Sequence, residues 1–140
     1  MRDMFNQVTP KRCISPQSVA DNTALVGEII DRKGFESLTY LIATGSLGDA
    51  GAEFTALLEE SDDSGMSGAT AVADANLLGT EALASFIQTD DNKCFKLGYL
   101  GAKRYTRLTI TPTNNATAAL IGAIALLGHP AAAPTVNPPA

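Results

Sequence analysis

This sequence predicts a mainly β chain folded as a two-sheet antiparallel sandwich, and three observations carry that expectation. Short segments alternate in side-chain character with a period of two. In 35–44, Leu38, Tyr40 and Ile42 point one way while Ser37, Thr39, Leu41 and Ala43 point the other. β-branched and aromatic residues such as Thr39, Tyr40 and Ile42 sit inside these segments, as strands favour. Turn-forming Gly, Asn, Asp and Pro separate them. About seven or eight short strands joined in this way favour sheet packed on sheet. A jelly roll is the preferred topology and an immunoglobulin-like sandwich the second choice.

Three regions follow along the chain. Residues 1–22 contain Pro10 and Pro16 and hold neither period, which reads as an extended arm ordered against a partner or not at all. Residues 23–128 form the sandwich domain. Its first strand is expected over 24–30, followed by a turn at Asp31-Arg32-Lys33-Gly34 and the strong strand over 35–44. The glycines of 45–51 make a loop, and 52–60 is its partner strand, with Phe54, Ala56 and Leu58 on one face. An acidic exit loop comes next, then a weak strand near 68–73. Thr80 could cap a short helix starting at Glu81. A turn leading into a strand over 84–88 is preferred.

Segments 93–100 and 104–111, joined by Gly101-Ala102-Lys103, read as a hairpin. The last strand covers 117–127, where alanine favours a helix but both alternating faces are apolar or small, as in a strand covered on both sides. Residues 129–140 carry Pro130, Pro134, Pro138 and Pro139 and read as an extended, Pro-rich tail.

Composition limits the function. One domain of 140 residues buries roughly two-thirds of its extended surface. Charged residues are 18% of the chain, below the usual share of about a quarter. With a formal net charge of -5, bulk phosphate binding is disfavoured and nucleic acid is not an expected partner. No apolar run reaches the length of a signal peptide or a membrane span, so neither is expected. Cys13 and Cys94 are too few for a disulfide scaffold and are expected to stay unbridged.

Catalytic patterns are not evident. His129 lies between Gly128 and Pro130 in the tail, a poor place for a base or metal ligand. HExxH, CxxC and phosphate-loop spacings do not occur. Glu59, Glu60, Asp62 and Asp63 have oxygens for a hard cation but not calcium-loop spacing, and a solvated loop is the better account. Glu53 and Glu59 show nothing to mark them as a glycosidase pair. Neither enzyme activity, nor a metal, nor a cofactor is expected.

Two surfaces then suggest attachment. The second apolar face of the last strand, Ala119, Ile121, Ala123 and Ala125, is expected to meet another copy of the chain. Arg2, Lys11 and Arg12 in the arm, and Lys93, Lys96, Lys103, Arg104 and Arg107 in the hairpin, are expected to dock on an acidic protein partner.

The strings Gly34-Phe35-Glu36-Ser37-Leu38-Thr39-Tyr40-Leu41-Ile42, Glu53-Phe54-Thr55-Ala56-Leu57-Leu58-Glu59-Glu60-Ser61-Asp62 and Phe95-Lys96-Leu97-Gly98-Tyr99 before Arg104-Tyr105 give the chain its texture. In length, strand order and turns it resembles the small jelly-roll capsid cement, or decoration, proteins of tailed bacteriophages, most nearly the type found in a short-tailed Bordetella phage. The resemblance implies a structural protein made in the host cytoplasm and carried on the outer surface of the virion. It implies binding to the major capsid protein, bridging its subunits, and self-association as a homodimer or, second, a homotrimer. The alternatives are a carbohydrate- or receptor-binding sandwich module, thinly supported with no Trp and three Tyr, and a small tail or neck component.

Overall fold

The computed structural model describes residues 2–139. Its strands are β1 (Val8–Val19), β2 (Leu25–Val26), β3 (Ile30–Asp31), β4 (Phe35–Leu47), β5 (Glu53–Ser61), β6 (Thr70–Ala71), β7 (Leu77–Leu78), β8 (Phe86–Ile87), β9 (Cys94–Tyr99), β10 (Tyr105–Thr113) and β11 (Ala119–Pro130). One sheet has the order β1-β11-β4-β9-β7. The other runs β2-β10-β5-β6, with β3 also on β10 and β8 also on β5. The strand pairs are antiparallel, giving a mainly β two-sheet sandwich with jelly-roll-like architecture.

The alternation read from the sequence sets the inner faces. Leu38, Tyr40 and Ile42 of β4 meet Phe54, Ala56 and Leu58 of β5 and Leu108 and Ile110 of β10 in one buried core. Phe86 stacks between Phe54 and Phe95, with ring centroids 5.0 and 5.4 Å away. A hydrogen bond of 2.6 Å between the Tyr40 hydroxyl and Thr106 Oγ1 ties the two sheets through this core. Each hydroxyl is thereby satisfied where water cannot reach it.

Several expectations are corrected. The arm is not free: Val8–Val19 is a full edge strand in register with β11, from Val8 opposite Gly128 to Val19 opposite Ala119. Its prolines are tolerated because an edge strand leaves one side of its backbone unpaired, and two register shifts bend it. The strand expected over 24–30 is two short pieces, because Gly27 N and Glu28 N donate to Leu108 O and Cys13 O and so clip the edges of the two sheets together. The Thr80-capped helix does form as α1 (Glu81–Ala84), with Leu83 N donating to Thr80 Oγ1 at 3.1 Å.

The expected hairpin of 93–111 is an arch instead. β9 pairs with β4 in one sheet, while β10 pairs with β5 in the other. Strands β4 and β5, expected as partners, are likewise in different sheets. At the arch, Arg32 donates to Gly101 O and Lys103 O at 3.1 and 2.9 Å, and its guanidinium lies 5.0 Å from the centre of the Tyr99 ring. Lys103 N donates to the Tyr99 hydroxyl, which itself donates to Glu60. A Cβ on Gly101 would collide with the Tyr99 ring. The tail is anchored as a strap: Ala131 N donates to Gly34 O, and Thr135 donates through N to Asn6 O and through Oγ1 to Val8 O.

Candidate functional site

Strand β11 lies between the edge strand β1 and the central strand β4 of the five-stranded sheet and presents two different faces. Ala119, Ile121, Ala123, Ala125 and Leu127 are buried against the core. Leu120, Gly122, Ile124 and Leu126 therefore face outward, because successive side chains alternate across the sheet. The register puts Gly122 beside Ala43, and Ala43 beside Cys94, so small residues follow one another across three strands. On one side stands Leu120, leaning over Gly45, and on the other the row Ile124, Leu41 and Lys96. Pro16 of β1 closes the end, 3.2 Å from where a Gly122 Cβ would lie.

The result is an open trough of about 700 Å³ whose walls and floor are almost wholly aliphatic. Leu120 and Ile124 keep 46% and 42% of their surface in contact with solvent. Two cations flank the Ile124 row, Arg12 at one end and Lys96 at the other. The trough thus has an apolar floor, with an Arg12–Glu28 ion pair at one end of its margin and the Lys96 cation at the other. It offers contact area and shape, with little hydrogen bonding.

The residues expected to form a homotypic surface are corrected by this geometry. Ala119, Ile121, Ala123 and Ala125 lie in the core. With both faces of the strand apolar, alternation alone carried no sign for which was inward. Small alanines were chosen inside, where the β4 and β1 neighbours already fill the space, and the larger Leu120 and Ile124 were left outside. The exposed face is the one the sequence reading assigned to the core.

The expected cationic docking surface is also dispersed. Lys93 bonds Asp90 at 2.8 Å, Lys103 bonds Asp62 at 2.6 Å, and Arg107 reaches Glu59 at 3.3 Å. Arg104 grips Asp31 with two hydrogen bonds of 2.8 Å. The arm's Arg12 bonds Glu28 at 3.1 Å, while Lys11 is half-buried opposite Ala125 and Arg2 is exposed ahead of β1. Lys96 stands on the opposite sheet from Arg104 and Arg107 because the hairpin is an arch. The sequence clustered these charges; the fold separates them and pairs several with carboxylates.

The acidic run is spent in the same way. Glu59 faces Arg107, Glu60 accepts from Tyr99, Asp62 accepts from Lys103, and Asp63 accepts from Gly65 N and Ser67 N. Hydrogen bonding from Lys103 holds the Asp62 carboxyl below the usual range, and that from Arg104 brings Asp31 down to about 2. Among the described residues no cluster of His, Cys, Asp and Glu has the geometry of a metal site. His129 is the penultimate residue of β11 and its Nδ1 lies 2.9 Å from Ser37 Oγ. Cys13 and Cys94 are both free thiols. Burial pushes the Cys13 thiol up to about 12, whereas Cys94 is exposed at the trough.

Comparison with known proteins gives little kinship. No family model matches the chain, and no curated protein matches it. Among solved structures, the chain is similar to the Clostridium thermocellum N-terminal endo-1,4-β-D-xylanase 10B, comprising CBM22-1 and GH10 modules complexed with xylohexaose. The identity is 11% and the TM-score 0.43, over 95% of this chain and 28% of that one. The chain therefore spans just over a quarter of the length of that neighbour.

The capsid-cement, or decoration, role expected from the sequence is corrected here. No family model or curated protein points to a shell protein, and the similar structure is an endo-xylanase chain with CBM22-1 and GH10 modules. Of the residues expected to dock on the shell, Arg12, Lys93, Lys103, Arg104 and Arg107 are already paired with carboxylates within the fold, and the expected self-contact face is buried. At that identity and TM-score, the likeness assigns no ligand to this chain.

Proposed function

We propose that this chain is a non-catalytic binding module of the receptor-attaching kind, which holds an apolar segment of a partner protein in the trough of its five-stranded sheet. The observation that carries the reading is the combination of Gly122, Ala43 and Gly45 as floor with Leu120 and Ile124 as walls. Side chains were removed from the middle of the face and large aliphatic ones placed at its sides, which makes a concavity where a flat, solvated sheet would have polar residues. Burying the exposed aliphatic surface supplies the driving force. Lys96 at its margin favours a ligand with an acidic residue flanking its apolar part, while Arg12 is already paired with Glu28. A sugar ring is usually held by stacking on an aromatic face, and the residues lining this trough are aliphatic, small or polar.

The test is a parallel screen of the purified chain against displayed apolar peptides and against a glycan array, read by protection of the Cys94 thiol from a maleimide. Apolar peptides should protect Cys94, and Ile124→Lys should remove the protection without loss of the fold. Protection by glycans, or none by any peptide, would sink the reading.

A further inference from the structure

A second apolar feature lies at the far end of the same sheet. The 3-10 turn Phe5–Gln7 precedes β1 and presents Met4 and Phe5 at 70% and 67% exposure. It is not a frayed end. Asp3 accepts from Asn6 N and Asn6 Nδ2, both at 2.9 Å, and Gln7 N donates to Met4 O at 3.0 Å. The C-terminal strap locks the turn from the other side through Thr135, which bonds Asn6 O and Val8 O at 3.0 and 2.7 Å. The next residue, Val136, is 74% exposed. Two termini are thus pinned together to hold large apolar side chains in water, an arrangement the hydrophobic effect opposes unless something covers them.

We propose that this knob inserts into the trough of a second copy of the chain, joining copies head to tail. The inference rests on the reading of the trough as a protein-binding site and names its occupant. Three observations support the fit. The knob is a Met–Phe pair, and aromatic and Met side chains are favoured anchors in protein interfaces. The trough, at about 700 Å³, lies within the range of ~300–1,000 Å³ found for ligand pockets. Asp3 beside the knob is complementary to Lys96 beside the trough, a cation with no ion-pair partner among the described residues, whereas Arg12 is already paired with Glu28.

The knob cannot fill its own trough. The register locks β1 against β11 from Val8 opposite Gly128 to Gln17 opposite Ile121. From Val8 to Pro16, at the trough, the strand spans roughly 26 Å at about 3.3 Å per residue. The two surfaces therefore face different copies. Such a contact is heterologous, so it propagates into a ring or a filament and does not close as a twofold dimer.

Complementation tests it. Sedimentation velocity of the full chain, from micromolar to millimolar, should show a mean mass that rises past that of a dimer. The Met4→Ala/Phe5→Ala variant lacks the knob and Ile124→Lys blocks the trough. Each alone should associate about tenfold more weakly, or less still. Mixed together, the two variants should form a complex of one copy of each and nothing larger. Thermal melts checked against the wild type show that both remain folded. A wild type monomeric throughout, a mixture that stays monomeric, or a knobless variant that associates like the wild type would each overturn the inference. If the wild type is monomeric while apolar peptides still protect Cys94, the knob-in-trough contact fails and the binding reading survives; if neither occurs, both fail.

Discussion

The two outer faces of the sandwich are built on the same alternation and come out differently. On the six-stranded sheet, Arg107 lies opposite Glu59, Thr109 opposite Leu57, Thr111 opposite Thr55 and Thr113 opposite Glu53. Arg107 and Glu59 pair charge with charge, Thr111 and Thr55 hydroxyl with hydroxyl, and the exposed Val26, Leu57 and Ile87 of this sheet each stand beside Thr109 or Glu53. On the five-stranded sheet, the corresponding rows read Ile124 with Leu41 and Gly122 with Ala43, with Pro10 opposite Leu126. The first face is satisfied by water and by itself. The second is left with aliphatic surface that only a partner can cover. What marks a binding face here is the composition of whole rows across strands, which no single strand reveals.

The contrast between inside and outside should be sharpest on β11 itself. Leu127→Ala removes a fully buried side chain, and chemical denaturation should show a loss of about 2–5 kcal/mol. Ile124→Ala on the same strand should cost under about 1 kcal/mol, because its face is already wet. Equal losses would mean that β11 has the opposite register. Between the sheets, Tyr40→Phe leaves Thr106 Oγ1 buried without its 2.6 Å partner. A loss of about 1–3 kcal/mol is expected by thermal or urea unfolding, and no loss would mean that the hydroxyl finds water.

On the polar face, a double-mutant cycle of Arg107→Met and Glu59→Gln should give a coupling below about 1 kcal/mol, falling with salt, since the pair remains partly solvated. A salt-independent coupling of several kcal/mol would show that this face too is covered.

The smallest effect is a pH dependence. Asp31 is held at about 2 by the Arg104 guanidinium, against an ordinary value of 3.8. A depressed carboxyl contributes stability that is full above its unfolded value and is lost as pH falls through the folded one. Stability attributable to this pair should therefore be flat above about pH 5 and decline from near 4 toward 2. Arg104→Gln should flatten that part of the profile in acid-unfolding scans; an unchanged slope would remove the pair from the account.

Much of the architecture was legible in the chain, and its misreadings have particular causes. The inner faces of β4 and β5 followed from alternation, since Leu38, Tyr40 and Ile42, and Phe54, Ala56 and Leu58, are apolar against polar or mixed partners. β1 was hidden because Pro10 and Pro16 look like breakers until the strand is known to lie at an edge. The trough was hidden because Thr117 to Leu127 is apolar or small on both faces, so a one-residue ambiguity exchanged the core for the surface. The knob left only Met4 and Phe5 as a signal, and what pins them is a strap from Thr135 at the other end of the chain.

From sequence alone, local physics determined the fold class, the positions of β4, β5, β9, β10 and β11 and the lack of a recognisable catalytic motif in the sequence. These depend on neighbours two residues apart and on turn chemistry, both of which are written in order along the chain. Tertiary structure alone decided which sheet each strand joins, because a tight hairpin and an arch have the same spacing. Here the arch at Gly101 is held by Arg32, 69 residues away from it in sequence. Tertiary structure also decided which apolar face of β11 meets water. Burial is a property of what packs opposite, and that is settled only when the second sheet arrives.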